Sequence, residues 1–346
     1  MKAIDQGMVG GELALLRRVR LRAGGVEAPG GVRLGIGDDC ALLRVRPDEE
    51  VAVTTDLSIA GRHFRLGWHP PEAVGHRALA RGLSDLAAMG ARPLAAFLSL
   101  GLPRELTAAP GRRKASAPWV DRFYDGLLAL AKAHKTPLAG GDLAESPIAV
   151  ADIVLVGAVP RGTALLRSGA KAGDLLYVTG ALGGAAAGLA RLAHVAKSTD
   201  SARPRPPRIS AKMASIMAPH LYPQPRIAQG LWLRRRGLAS AALDLSDGLS
   251  TDLAHLCEES GVAAEVYADA LPIHPNASIE QALNGGEDYE LLFSTPPSAR
   301  LPRSISGVPI TKIGRIARLR AREPVVTLVT GCVAAPLEAR GWEHFS

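Results

Sequence analysis

The sequence predicts an α+β protein made of two domains. Its 346 residues exceed what one hydrophobic core usually organises, which favours two medium-sized domains. Strand-like and helix-like segments alternate along the chain. A polar, glycine-bearing connection over 160–174 separates an earlier series of segments from a later one. We therefore expect one domain over 1–159 and a second over 160–346.

The earlier series is predicted to alternate strands with helices. Aliphatic and β-branched runs predict strands at 51–57, 94–102, 136–142 and 148–159, the third running into a glycine turn. Apolar residues near helical spacing predict helices at 70–90 and 118–134. Prolines at the start of the first helix and Gly90 at its end are typical helix boundaries.

The later series repeats this alternation. The same patterns predict strands at 174–180, 239–246, 262–268, 287–295, 309–316 and 325–330. Helices are predicted at 182–196, 225–237 and 247–261. The stretch 197–210 has few apolar residues and several prolines, which predicts an exposed loop.

Composition excludes several classes of protein. No run of 18 apolar residues occurs, so no membrane span is predicted. The first residues lack the charged region, apolar run and cleavage site of a signal peptide, so we expect a cytoplasmic location. Cys40, Cys257 and Cys332 are far apart in the sequence and predict neither a disulfide framework nor a zinc site. The apolar run after Cys40 places that residue in a core.

The chain is basic, with a net charge of +8. A basic balance suits nucleic acid, an acidic membrane surface or an anionic small substrate. The arginine-rich runs are not interleaved with the aromatic residues on which single-stranded nucleic acid stacks. We interpret these runs as solvated faces of the protein.

Acidic residues recur beside Gly, Ser or Thr at the ends of predicted elements. Carboxylates gathered from several elements need neutralisation, and Mg²⁺ takes oxygen ligands and shares them with substrate phosphates. Neighbouring hydroxyls and glycine backbone N–H groups suit phosphate oxygens. The pattern therefore predicts a site for Mg-nucleotide, although each motif alone also fits a helix cap or a turn. The carboxylates are Asp38, Asp39, Asp56, Asp85, Asp142, Asp244, Asp247, Glu287 and Asp288.

Other phosphate and hydrolase signatures are absent from the sequence. The chain has no G-x-x-x-x-G-K-[ST] phosphate loop and no H-E-x-x-H zinc motif. It also lacks the H-R-D and D-F-G motifs of protein kinases and the G-x-S-x-G nucleophile elbow. The candidate chemistry therefore rests on the acidic motifs.

Taken together, the motifs resemble the thiamine-monophosphate kinase family, part of the aminoimidazole-ribonucleotide-synthetase-like ATP-binding superfamily. The resemblance spans nearly the whole chain and follows the order of motifs in that family. The matching stretches are GIGDDCAL (35–42), VTTDLSIAGRHF (53–64), LSDLAAMGARP (83–93), GGD (140–142), LLRSGAKAGDLLYVTG (165–180), PQPRIAQG (223–230), ALDLSDGLSTDL (242–253), GGEDYELLF (285–293) and RGWEHF (340–345).

The resemblance implies a two-domain synthetase-like fold. Its N-terminal domain would carry a mixed sheet that pairs with its copy in a homodimer, and its C-terminal domain would be an α/β sandwich. ATP would be the co-substrate and would lie in a cleft between the domains. Its γ-phosphoryl group would pass directly, in line, to thiamine monophosphate to give thiamine diphosphate, with Mg²⁺ held by clustered Asp residues. Neither a membrane nor a nucleic acid is implied as a partner.

The resemblance also implies roles for individual residues. Asp247, Asp142 and Arg167 would be the catalytic residues, and Trp342 has the aromatic face best suited to stack on a cationic ring. The metal ligands would be Asp39, Thr54, Thr55, Asp56, Asp85, Asp142, Asp244 and Asp247. ATP would contact Gly141, Asp142, Arg167, Ser246 and Tyr124, and the thiamine substrate would contact His63, Glu287 and Trp342. Asp38 would either share in the metal site or hydrogen-bond its own turn.

Two alternatives remain open from the sequence. One is a different ATP-dependent enzyme of the same superfamily, such as an aminoimidazole-ribonucleotide or selenophosphate synthetase. The other is a basic nucleic-acid-binding protein without catalysis, whose affinity would fall steeply with salt. The second alternative gives no reason for the clustered carboxylates, which repel phosphate unless a cation is bound.

Overall fold

The computed structural model describes residues 12–24, 31–107, 117–198 and 211–342. Most of the predicted loop at 197–210 therefore lies outside the described residues. The chain divides into two compact units, one formed by residues 1–82 and 93–158 and the other by 83–92 and 159–346. In the part that is described, no helix is long and apolar enough to cross a membrane.

The first unit contains a four-stranded sheet and a small two-stranded sheet. Its helices are α1 (Glu12–Ala23), α2 (Pro71–Ala88, grouped with the second unit from Leu83 on) and α3 (Trp119–Ala133). Its strands are β1 (Val32–Leu34), β2 (Leu42–Leu43), β3 (Glu49–Ile59), β4 (Arg92–Leu102), β5 (Leu138–Glu145) and β6 (Val150–Pro160). The strand order of the larger sheet is β3-β6-β4-β5, and β1 pairs antiparallel with β2.

The two long predicted helices of this unit are confirmed, and they cross with almost no side chain between them. A Cβ atom on Gly75 of α2 would lie 1.9 Å from the Phe123 carbonyl oxygen of α3. A Cβ on Gly126 of α3 would lie 1.9 Å from the Glu72 carbonyl oxygen of α2. The glycines therefore allow the two backbones to touch, which fixes where α3 lies on α2.

The expected glycine turn at 140–142 was wrong, because the structure has a continuous strand there. Strand β5 runs parallel to β4, with Leu98 opposite Gly141 and Ser99 opposite Asp142. Gly141 has φ 141°, and a Cβ on it would lie 1.9 Å from the Leu98 carbonyl oxygen. Only glycine fits this position, so the glycine serves a close approach of two strands.

Strand β3 lies at one edge of the four-stranded sheet and exposes apolar side chains. Val51, Val53 and Leu57 are 52%, 61% and 45% exposed. They alternate along the strand with less exposed residues, so they share one face.

The second unit is built on an eight-stranded mixed sheet flanked by helices. Its strands are β7 (Leu175–Thr179), β8 (Ala241–Asp244), β9 (Ala263–Tyr267), β10 (Leu291–Thr295), β11 (Ser304–Ile305), β12 (Val308–Ala317), β13 (Val326–Thr330) and β14 (Val333–Pro336). Its helices are α4 (Gly184–Ser198), α5 (Ala211–Leu221), α6 (Ile227–Arg236), α7 (Leu249–Ser260) and α8 (Ile279–Asn284).

The sheet of the second unit has the order β14-β13-β9-β12-β7-β10-β8, with β11 beside β12. Strand β13 runs parallel to β9, whereas β7, β10 and β12 pair antiparallel with their neighbours. Aliphatic residues of the sheet and of α7, among them Leu176, Leu253 and Ile313, form the core. The sheets and helices confirm the predicted α+β class.

Two expectations about local structure are corrected here. The strand predicted from 287 begins only at Leu291, because Glu287 and Tyr289 have positive φ values of 68° and 52° and break the extended chain. Cys40 is exposed rather than in a core. Of the apolar run behind it, Leu42 is 49% exposed, while Leu43 packs against the cluster that contains Leu94.

Candidate active site

The acidic loop at 37–39 and the glycine-bearing strand β5 line one pocket in the first unit. The pocket has a volume of about 350 Å³. Asp39, Gly141 and Asp142 lie on its wall together with Tyr124 of α3. These four residues come from three separate places in the sequence and were all predicted site residues.

The carboxylates of this pocket are exposed and partly engaged by their own turns. Asp38 Oδ1 accepts the Asp39 backbone N–H at 3.0 Å, which gives Asp38 the turn-stabilising contact considered from the sequence. Asp142 Oδ1 accepts the Leu143 N–H at 2.9 Å. Asp39 is exposed in the same loop. The pocket thus offers hard oxygen donors at an accessible surface.

Tyr124 forms part of the pocket but is almost fully buried. Its ring meets Phe123 edge to face at a centroid distance of 5.7 Å. Burial raises the pKa of the Tyr124 phenol far above its usual value. Tyr124 is therefore neutral near pH 7 and can offer an aromatic wall rather than a charge.

The predicted residues of β3 and the turn after it have partners inside the first unit. Asp56 Oδ1 lies 3.4 Å from Arg81 Nε, so a cation of the protein already offsets this carboxylate. Thr54 is half-buried and Thr55 is exposed. His63 Nδ1 accepts the Ile59 N–H at 3.1 Å, so the imidazole closes the turn that follows β3.

In the second unit, Asp244 and Asp85 lie beside a buried hydrogen bond. Asp244 ends β8 and is 5% exposed. The Ser84 hydroxyl donates to Asp244 Oδ2 at 2.6 Å. Asp85 follows Ser84 in α2, so the hydrogen bond ties the element that carries Asp85 to the end of β8.

The loop that carries Asp247 is held by a residue that the sequence did not single out. Asp252 Oδ2 accepts the backbone N–H groups of Ser246, Asp247 and Gly248 at 3.0, 3.0 and 3.1 Å. Burial, followed by the nearby Asp247 charge, raises the pKa of Asp252 to about 7. An acid five residues after Asp247, inside the helix predicted at 247–261, was the only sequence signal for this contact.

Ser246 and Arg167 occupy different surroundings in the same unit. The Ser246 carbonyl oxygen accepts the Glu287 N–H at 2.8 Å, which joins the loops that carry these two residues. The Arg167 carbonyl oxygen accepts the Ser260 hydroxyl at 3.0 Å. The Arg167 side chain is exposed, so its guanidinium is accessible to an anionic ligand.

The loop that carries Glu287 is fixed by the acids next to it. Asp288 accepts the N–H groups of Gly183 and Ala185 at 2.5 and 2.9 Å, at the start of α4. Glu287 Oε2 lies 3.5 Å from His220 Nδ1. These contacts of Glu287 and Asp288 were not predicted, because the residues that make them lie far away in the sequence.

Glu290 anchors the same loop from inside the protein. It accepts the Thr179 hydroxyl at 2.6 Å and the Arg226 Nε–H at 2.6 Å. Glu290 is 4% exposed, so this buried carboxylate has both an arginine and a hydroxyl as partners. Neither Glu290 nor Arg226 was predicted from the sequence as a site residue.

Trp342 lies beside the loop of Asp247. Its backbone N–H donates to the Asp247 carbonyl oxygen at 3.0 Å, and the residue is 49% exposed. The structure thus brings together a predicted metal ligand and a predicted substrate residue within the second unit.

The donor chemistry of these residues fits Mg²⁺. The candidate ligands carry carboxylate and hydroxyl oxygens, which Mg²⁺ prefers, and it commonly binds one or two carboxylates while keeping waters and phosphate oxygens. Within the described ranges, no group of three or more His, Cys, Asp or Glu side chains is arranged to hold a metal ion alone.

Comparison with known proteins identifies the class first. Residues 37–159 match the family described as AIR synthase related protein, N-terminal domain, and residues 171–319 match its C-terminal domain counterpart. The chain therefore belongs to the AIR synthase related proteins.

The particular family follows from full-length relatives. The chain is 37% identical to the thiamine-monophosphate kinase of Salmonella typhimurium over 356 residues, covering 98% of this chain and 99% of that protein. It therefore belongs to the thiamine-monophosphate kinase family of enzymes.

Solved structures agree with this family. The crystal structure of thiamine-monophosphate kinase from Stenotrophomonas maltophilia K279a matches with a TM-score of 0.75 at 37% identity, over 95% of this chain and 99% of that one. A structure described as AaThiL complexed with AMPPCP and TMP matches with a TM-score of 0.70 at 27% identity, over 99% of this chain and 100% of that one.

Proposed function

We propose that the protein transfers the γ-phosphoryl group of ATP to thiamine monophosphate and so makes thiamine diphosphate. The observation that carries this proposal is the pocket where Asp39, Gly141, Asp142 and Tyr124 meet. The pocket combines exposed carboxylates, the glycine backbone at Gly141 and the aromatic ring of Tyr124. This combination suits a nucleotide that binds together with a cation. The kinase relatives, and the related structure with an ATP analogue and TMP, support the choice of substrates.

Mg²⁺ would be held by the carboxylates of the acidic loops. We assign Asp39 and Asp142 as its principal candidate ligands within the first unit, and Asp244 and Asp247 as separate candidates within the second. Thr54, Thr55, Asp56 and Asp85 are further candidates, although Asp56 is already offset by Arg81. When bound, the cation neutralises the charge that spreads over the phosphoryl oxygens during transfer.

The chain's own residues would mainly position the two substrates and neutralise the negative charge of their phosphate groups. Arg167, with its exposed guanidinium, would contact the migrating phosphoryl group, and Ser246 would contact ATP beside it. No general base is required, because the acceptor phosphate is itself a nucleophile. Direct in-line transfer predicts inversion of configuration at a chiral γ-phosphorus, whereas a covalent phosphoenzyme predicts retention.

The acceptor would be recognised by His63, Glu287 and Trp342. The indole face of Trp342 suits a cationic thiazolium ring. The carboxylate of Glu287 adds a negative charge that favours a cationic substrate. Asp288 and Glu290 hold the loop that carries Glu287, and the Trp342 backbone is hydrogen-bonded to Asp247.

We also propose that the protein works as a homodimer. The observation behind this proposal is the apolar face of β3, where Val51, Val53 and Leu57 are about half exposed or more. Apolar side chains on one face of an edge strand favour burial against another chain. A second copy of this chain is the partner we assign to this face.

The activity is tested directly with purified protein, Mg-ATP and thiamine monophosphate. Thiamine diphosphate is measured by fluorescence after oxidation. Asp142→Asn and Asp247→Asn are each expected to lower kcat at least roughly a hundredfold, because each removes charge stabilisation from the transferring group. Glu145→Gln, an exposed acid on the same strand as Asp142, is the matched control and should stay near wild type.

Two results would contradict the proposal. One is the absence of thiamine diphosphate with wild-type protein. The other is an Asp247→Asn variant whose kcat equals that of Glu145→Gln. Consumption of ATP without thiamine diphosphate would instead favour another acceptor within the superfamily.

A further inference from the structure

The first turn of α7 holds the segment at 340–342 as well as the loop of Asp247. The Thr251 hydroxyl accepts the Gly341 N–H at 2.9 Å, and the Ser250 hydroxyl accepts the Arg340 N–H at 3.3 Å. Each of these contacts joins residues 90 positions apart in the sequence. The 340–342 segment is thus attached by its backbone to side chains that belong to no predicted site.

Gly341 makes this attachment close. A Cβ atom on Gly341 would lie 2.1 Å from the Asp247 carbonyl oxygen and 2.5 Å from Thr251 Oγ1. Real side chains do not approach a backbone oxygen to such a distance, so a larger residue must move the segment away. The segment therefore depends on glycine at this position.

Asp247 is held from two sides by this arrangement. Its N–H donates to Asp252 Oδ2 at 3.0 Å, and its carbonyl oxygen accepts the Trp342 N–H at 3.0 Å. Ser250, Thr251 and Asp252 are consecutive, so one helical turn fixes both the Asp247 loop and the backbone of Trp342.

We propose that Ser250, Thr251 and Gly341 are positioning residues for the acceptor substrate. They hold the backbone of Trp342 in place, so that its indole is ready for an aromatic cation before the substrate binds. Ordering a segment in advance lowers the entropy that binding would otherwise cost. This inference rests on the proposed function only for the identity of that cation, the thiamine moiety.

The kinetic test is the Thr251→Val variant, which keeps the shape of the side chain and removes the hydroxyl. The KM for thiamine monophosphate is expected to rise roughly tenfold, the effect of about one hydrogen bond left unmade. The KM for ATP and kcat should stay within about twofold of wild type, since Asp252 still holds the Asp247 loop. Thr330→Val, at an exposed position that ends β13, is the matched control.

Attachment of the segment is tested without any substrate. Arg340 has an exposed side chain, so trypsin can cut after it once the segment leaves α7. The rate of cleavage of the bond between Arg340 and Gly341, followed by mass spectrometry, should rise in Thr251→Val. It should rise further in Gly341→Ala, but not in Gly24→Ala, where a Cβ makes only ordinary contacts.

The two readouts separate this inference from the proposed function. Faster cleavage in both variants, with a selective rise in KM for thiamine monophosphate, supports the inference. Unchanged cleavage, or equal rises in the KM values for both substrates, would overturn it. If the wild type makes no thiamine diphosphate but the cleavage rates change as expected, the proposed function fails while the attachment stands; the role in acceptor recognition is then rejected with it.

Discussion

Gly141 is the residue on which the backbone of the candidate ATP pocket depends. It lies between the wall of the pocket and the carbonyl oxygen of Leu98 on β4. Its φ of 141° lies where residues with a Cβ are rarely found. The side chain of Asp142 reaches the pocket from a strand that only this glycine allows to pack so closely.

We predict that Gly141→Ala destabilises the protein by about 3 kcal/mol or more, through backbone strain together with a clash against a main-chain oxygen. Urea unfolding of the variant and wild type measures this difference. Gly24→Ala is the control, because its Cβ makes only ordinary contacts. Equal midpoints for Gly141→Ala and Gly24→Ala would show that β4 and β5 separate without cost.

The residues of the site were predictable to different degrees. Asp39 and Asp142 could be selected from the sequence because each belongs to a glycine-bearing acidic motif. Asp252 and Glu290 could not, because they accept hydrogen bonds from partners that only the fold brings near, and the same kind of contact made by Asp288 was not foreseen when that residue was selected. The sequence thus predicts the residues that meet a ligand better than those that hold them in place.

At the scale of elements, the N-terminal end of α4 is hydrogen-bonded to the carboxyl group of Asp288. Both carboxylate oxygens accept N–H groups there, from Gly183 and Ala185. Burial nevertheless raises the pKa of Asp288 from 3.8 to about 7. Between these two values the folded protein binds more protons at this site than the unfolded chain does.

We therefore predict that the contribution of Asp288 to the free energy of unfolding falls as the pH rises from about 4 to about 7. In Asp288→Asn this contribution is removed, so the unfolding free energy should fall less over the same range. Denaturant titrations at several pH values give the two slopes. Parallel curves would contradict the prediction, and Asp269→Asn, at an exposed position, should follow wild type.

Strand β3 supplies a second prediction at this scale. A charge on its apolar face would be buried in the proposed homodimer and is costly there. We predict that Val53→Glu raises the dimer Kd at least roughly a hundredfold, measured by sedimentation velocity. Val333→Glu on β14, at a position 67% exposed, should leave self-association unchanged. A wild-type protein that stays monomeric at high concentration would reject the assignment of a second copy.

Most predicted helices and strands have the right type. The errors fall at a glycine pair and at an acidic residue, where the sequence pattern suggests one backbone conformation and the structure has another. The pair at 140–141 suggests a turn by composition, yet the structure uses it to bring β5 against β4. The run from Glu287 suggests a strand by its apolar end, yet positive φ values delay the strand to Leu291. A local sequence pattern does not show which other segment of the chain a backbone must pack against in the fold.

At the scale of the whole molecule, candidate Mg²⁺ ligands occur in both units. In the proposed function ATP and Mg²⁺ bind only the folded protein, so they should stabilise it by about 2.7 kcal/mol at a hundredfold excess over Kd. We predict a rise in Tm of several degrees with Mg-ATP and a much smaller one with ATP and EDTA. Thermal unfolding measures both, and equal shifts would show that the cation is not required.

The fold class was predictable from the alternation of strand-like and helix-like segments. Many of the long-range hydrogen bonds within each unit were not predictable. The hydrogen bond from Ser84 to Asp244 joins residues 160 positions apart in the sequence. The hydrogen bond from Arg22 to the Asp121 carbonyl oxygen joins residues 99 positions apart. Such contacts follow from packing over the whole unit. No local pattern of residue types encodes them.

The carboxylates that hold the loops of the second unit also determine how it can meet phosphate. A helix start with unpaired N–H groups is electropositive and attracts anions. At the start of α4 Asp288 already accepts the Ala185 N–H, and just before α7 Asp252 accepts the Gly248 N–H. At each of these two places a carboxyl group of the protein itself already takes up backbone N–H groups. In the proposed function, a phosphate substrate would therefore be drawn in by Mg²⁺ and by arginine.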